Sequence, residues 1–93
     1  MKAIWNGKTI AQSDETIIIE RNHYFPTNSV DRNYLVNNSQ TSVCPWKGTA
    51  SYYDVVVDGK TNIGAAWYYP QPSEKAKQIK NYVAFWRGVE IVD

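Results

Sequence analysis

Cys44-Pro45-Trp46-Lys47-Gly48 brings together a thiol, an indole and an ammonium, then a glycine that lets another chain come close. A lysine over a cavity holds phosphate or carboxylate as a point charge. The plainer alternative is a solvated Lys47 beside a Trp46 that caps the core. Cys44 and His23 each occur once. A thiolate beside an imidazole would make a nucleophilic dyad, with His23 or Glu20 moving the proton. Against this, a free cysteine commonly behaves as a small buried hydrophobe. Pro45 also leaves no free N–H directly after the thiol. A lone histidine is commonly a hydrogen-bonded structural residue. Glu20 has a further use, as an ion-pair partner of Lys47 or Arg21.

The aromatic residues are the second source of chemistry. The chain holds four Trp and seven Tyr. Their apolar bodies and polar tips suit pocket walls and interfaces. Strand alternation puts Trp67 and Tyr69 on one face and Tyr68 on the other. Tyr82, Phe85 and Trp86 repeat the theme. The candidate ligand-binding set is therefore Tyr24, Cys44, Trp46, Lys47, Trp67 and Tyr69, with Glu20 as an acid. An aromatic-rich core is the structural alternative. Three functions follow: a domain binding an unidentified, anionic small molecule; an enzyme using Cys44; or a structural or interaction module, as monomer or homodimer.

Other patterns exclude chemistry. Gly7-Lys8-Thr9 and Gly59-Lys60-Thr61 look like P-loop tails. Lys2 and Asp54 stand where that loop needs glycine, and strands follow rather than helices. Asp54 and Asp58 are about 13 Å apart along a strand, too far for paired metals about 3.5–4 Å apart. Asp58 reads as a turn residue and Asp54 as solvent-facing. One Cys and one His cannot complete a zinc site, so no metal and no cofactor are expected. Net charge is +1, which excludes a polybasic nucleic-acid binder. No run approaches the roughly 18–20 apolar residues of a membrane span. The opening residues lack a signal-peptide apolar region. With a single cysteine, these features point to the cytoplasm.

A single domain over residues 1–93 is expected. Leucine occurs once, at Leu35, against 17 Ile and Val. That balance favours a mainly β, antiparallel fold with one or two short helices. Asn6-Gly7 and Asp58-Gly59 predict tight hairpin turns. The first joins Ala3-Ile4-Trp5 to Lys8–Ala11, and the second joins Ala50–Val57 to Lys60–Tyr69. Ile17-Ile18-Ile19 reads as a strand covered on both faces, broken by Asn22–Pro26. Residues 26–35 read as one short helix, 37–40 as a polar loop and 41–44 as a short strand. Ser73 reads as the N-cap of a helix carrying Ala76, Ile79 and Val83. Tyr82–Trp86 and Val89–Val92 read as closing strands. The paired turns and the echo of Tyr24-Phe25-Pro26 in Tyr68-Tyr69-Pro70 suggest a weak internal duplication.

Glu20, Asn22–Pro26, Cys44–Gly48, Ala50, Tyr52-Tyr53, Ala66-Trp67, Pro70 and Tyr82–Phe85 resemble the bacterial domain-of-unknown-function family four-two-seven, sometimes labelled nucleotidyltransferase-like. The resemblance spans the whole chain. It implies a small antiparallel sheet or barrel of the β-tent kind, metal-free here because related zinc tents use paired C-x-x-C ligands. The Gly-Ser segment and strand-borne acidic pair of nucleotidyltransferases are absent, so the resemblance implies a fold rather than a reaction.

Overall fold

The computed structural model describes residues 1–93, and its regular structure is mainly antiparallel strand. Strands β1 (Lys2–Trp5) and β2 (Lys8–Gln12) form the first hairpin. Asn6 and Gly7 at its tip have φ of 49° and 76°, the left-handed pair that such a turn requires. Strand β9 (Glu90–Val92) pairs with the other side of β1, Lys2 facing Val92, to complete a three-stranded sheet.

A second sheet has the order β5-β6-β7-β8, comprising β5 (Leu35–Cys44), β6 (Gly48–Val57), β7 (Lys60–Tyr68) and β8 (Val83–Phe85). Neither sheet closes on itself, so the architecture is open rather than a barrel. The turn Asp58-Gly59, with φ of 50° and 77°, joins β6 to β7 as its sequence predicts. Residues 37–40, read from sequence as a loop, lie within β5. Strand β5 is the outer strand of its sheet, so polar side chains there reach water. Its pairing with β6 slips between Asn38 and Thr41.

The other departures share a cause: local geometry that composition does not announce. Strand β3 (Ile17–Ile19) is not covered on both faces, because Ile18 is 61 % exposed. Asn22 does not break the run; β4 (Asn22–Tyr24) pairs back on β3. Their turn is Glu20-Arg21, with φ of 53° and 69° and neither glycine nor asparagine. No α-helix forms. Three 3-10 segments occupy Thr27–Ser29, Arg32–Tyr34 and Glu74–Ile79. Ala76 and Ile79 are buried as expected, but Val83 belongs to β8. The duplication does not hold. The Asn6-Gly7 hairpin lies in the three-stranded sheet and the Asp58-Gly59 hairpin in the four-stranded one. Phe25 bridges Val83 antiparallel, while Tyr69 bridges Lys80 parallel.

Two apolar clusters divide the interior. The larger joins Ala3, Ile10, Phe25, Val55, Val57, Val83 and Phe85, uniting the three-stranded sheet with one face of the four-stranded sheet. The smaller gathers Tyr24, Ala50, Tyr69, Ala76, Ile79 and Ala84, with Tyr52, Trp67 and Cys44 packed against it. Alternation on β6 explains the split: Tyr53, Val55 and Val57 face the first cluster, Ala50 and Tyr52 the second. No helix is long and apolar enough to cross a membrane.

Candidate functional site

The turn 45–47 is fixed by a second segment of chain. The Ser73 amide donates to the Lys47 carbonyl at 2.8 Å, and the Ser73 hydroxyl donates to the Trp46 carbonyl. That hydroxyl is thereby unavailable as the helix N-cap expected from sequence, and no side-chain cap forms. Gly48 permits the approach. Its φ is +116°, and a Cβ there would sit 3.2 Å from the Gln71 carbonyl oxygen.

Clamped this way, Lys47 points inward and is only 5 % exposed. Its Nζ donates to Glu20 Oε1 across a salt bridge. It also lies 5.3 Å from the Trp46 ring centroid and 5.7 Å from that of Tyr69. Burial pulls the Lys47 pKa down, but the Glu20 hydrogen bond and nearby phenols reverse this, and the net direction is up. The hydrogen bond and charge of Lys47 hold the Glu20 carboxyl below its usual range. The left-handed Glu20-Arg21 turn carries Glu20 to this position.

Lys47 opens onto a cavity of about 270 Å³, lined also by Asn22, Tyr52, Trp67, Tyr69 and Trp86. Tyr52 and Trp67 are direct cross-strand partners on β6 and β7. Trp67 and Trp86 meet edge to face with centroids 5.6 Å apart. Trp67 donates its indole N–H to the Tyr24 hydroxyl at 3.2 Å, and Trp86 donates to the Gly64 carbonyl at 2.6 Å. The rings are thus fixed by their polar tips, and the Arg87 guanidinium lies over the Trp86 ring, 4.6 Å from its centroid. Burial pushes the Tyr69 phenol up to about 12, so it is a neutral hydroxyl at ordinary pH.

Of the residues expected from sequence, Lys47, Trp67 and Tyr69 line the cavity. Tyr24 is fully buried beneath it, as the acceptor for Trp67. Trp46 lies outside the lining, stacked near the Lys47 ammonium. Cys44 is half-buried against the smaller cluster. His23 engages Thr16 through Nδ1 at 2.9 Å, and Glu20 engages Lys47; neither hydrogen-bonds to Cys44. Asp54 is not simply solvent-facing: it accepts from Asn38 and from the Gly64 amide. Asn22, Tyr52 and Trp86 were missing from the sequence-based set. For Tyr52 no signal existed: regular pairing from the Asp58-Gly59 turn would set it opposite Ala65, and only the slip between Tyr53 and Val55 brings it opposite Trp67.

No curated protein matches the chain. The model of a domain of unknown function, DUF427, matches residues 1–93, and the chain belongs to that family.

Proposed function

We propose that this domain binds a small molecule in the aromatic cavity between β4, β6, β7 and β8. The observation that carries this reading is the convergence of Tyr52, Trp67, Tyr69 and Trp86 with a buried ammonium on one concavity. A flat or sugar-like body stacks against the rings. Lys47 and Asn22 offer donors and an acceptor to its polar edge, with Glu20 paired to Lys47. Because Glu20 already balances Lys47, this end recognises a polar edge more readily than a bare anion.

A thermal-shift screen tests the reading. The panel holds nucleotides, sugar phosphates, acyl-CoAs and common metabolites, each with its uncharged counterpart. A ligand that binds only the native state adds about 2.7 kcal/mol at a hundredfold excess over Kd. Stabilisation by a panel compound, weakened in both Lys47→Ala and the half-exposed Trp86→Ala, supports the cavity. Stabilisation that neither variant changes, or none across the panel, overturns it.

A further inference from the structure

We propose that the ligand is a ring compound carrying a phosphate, and that the phosphate rests on Arg87 in a second concavity continuous with the first. This deepens the reading of the aromatic cavity as a ligand site and depends on it.

The second concavity has a volume of about 250 Å³ and is lined by Gln40, Thr41, Ser42, Tyr52, Trp86 and Arg87. Tyr52 and Trp86 belong to both walls. Small-molecule sites begin at roughly 300 Å³. Neither concavity alone reaches that size, but the two joined exceed it. The joined groove changes character along its length, from aromatic at the Trp67 end to hydroxyl and guanidinium at the Arg87 end. A ligand matching it has a ring at one end and a polar, charged group at the other.

Charge decides which group. The cation of the aromatic end, Lys47, is matched by Glu20. Arg87 forms no salt bridge. Its guanidinium lies 4.6 Å from the Trp86 ring centroid and gives only Nη1 to a protein acceptor, the Ile63 carbonyl at 2.9 Å. The remaining guanidinium donors are left for an anion. Thr41 and Gln40 add a hydroxyl and an amide donor beside it, while the Ser42 hydroxyl is shared with the Tyr52 hydroxyl at 2.8 Å. This exceeds what a carboxylate takes up and suits the three terminal oxygens of a phosphate monoester.

The backbone is also committed to this placement. The Asn62 side chain donates to the Arg87 carbonyl at 2.7 Å, and Trp86 is fixed to Gly64. Six non-glycine residues have positive φ. Asn6, Asp58 and Asn81 are types that tolerate it. Of the others, Arg87 lines the second concavity and Glu20 pairs with the ammonium that lines the first, with Arg21 beside Glu20 in its turn. Non-glycine residues held in that region cost stability and gather at ligand clamps.

The test is a tryptophan-fluorescence titration of the full chain with phenyl phosphate and the nucleoside 5′-monophosphates. Each is compared with its dephosphorylated counterpart and with inorganic phosphate. The expected result is that at least one ring phosphate binds about tenfold more tightly than its dephosphorylated form, and that Arg87→Gln removes this advantage while leaving the weaker binding intact. Thr41→Val, away from the strained turn, reduces the same advantage if Arg87→Gln unfolds. Equal binding of phosphorylated and dephosphorylated compounds overturns the Arg87 assignment but leaves the aromatic site standing. A phosphate advantage that survives both substitutions also overturns it. Failure of every ring phosphate overturns this proposal, while uncharged ligands of the thermal-shift panel still test the cavity separately.

Discussion

One oxygen of Asp54, Oδ1, accepts the backbone amide of Gly64 at 2.8 Å. The same oxygen accepts Asn38 Nδ2 at 2.7 Å. The pairing of β6 with β7 slips between Tyr53 and Val55, and that of β5 with β6 slips between Asn38 and Thr41. Asp54 therefore pins both irregularities. Because the Gly64 carbonyl receives the Trp86 indole, the pin also bears on the cavity wall.

Asp54→Ala removes the acceptor for both donors. Hydrogen bonds to a charged group contribute about 1.5–3 kcal/mol each, and water regains some of the loss at this half-exposed site. Denaturant unfolding should show a loss of about 2 kcal/mol. The near-UV circular dichroism of Trp86 should change with it, whereas Asp58→Ala, at the hairpin tip, should leave that signal alone.

Removing Glu20 strands the buried Lys47 ammonium. Breaking such a pair on one side is worse than replacing both partners. The melting temperature should fall in Glu20→Gln and recover in part when Lys47→Met is added. The pair also sets an acid limit. The folded Glu20 pKa lies below the ordinary 4.5, so its contribution is present above that value and is lost as pH falls through the folded one. In Lys47→Met this acid-side loss should disappear.

Gly48→Ala puts a Cβ into a left-handed backbone position and against the Gln71 carbonyl. A strained position of this kind costs about 1–3 kcal/mol. The loss should appear as a lower denaturant midpoint. Because Gly48 sits beside the clamp on Trp46 and Lys47, ligand affinity should fall as well. Gly7→Ala is a partial control, sharing the positive φ but with open space around its Cβ.

Tyr69 predicts the alkaline limit. Burial raises its pKa from 10 to about 12, with Lys47 acting in the opposite sense. Between those values the unfolded chain has lost the proton that the folded chain keeps. Stability contributed by the neutral phenol is full below pH 10 and declines as pH rises towards 12. Tyr69→Phe should flatten that decline, as followed by melting temperature against pH.

Features governed by turn chemistry were legible in the sequence. Asn6-Gly7 and Asp58-Gly59 announce their hairpins because those residue types accept positive φ. Glu20-Arg21 adopts a similar left-handed pair without such residues, so β3 and β4 could not be joined in advance. Asn37–Gln40 looked like a loop because an outer strand needs little apolar surface. Ser73 looked like a cap because its tie to Trp46 spans 27 positions. At the site, strand parity placed Trp67 and Tyr69 together. Nothing in the sequence tied Arg87 to a site, since its neighbours Gln40, Thr41 and Ser42 come from the opposite edge of the sheet.

The pairing of Lys2 with Val92 has a kinetic meaning. Joining residues about 90 positions apart costs roughly 4 kcal/mol of loop-closure entropy if the intervening chain is still disordered. Once β6–β7 and β3–β4 have condensed, the effective loop shrinks and the cost falls. Local hairpins should therefore nucleate folding, and the three-stranded sheet should zip shut late, when β9 docks on β1. Contacts within β9 should form after the transition state, so that substitutions at Ile91 mainly speed unfolding and leave the folding rate nearly unchanged.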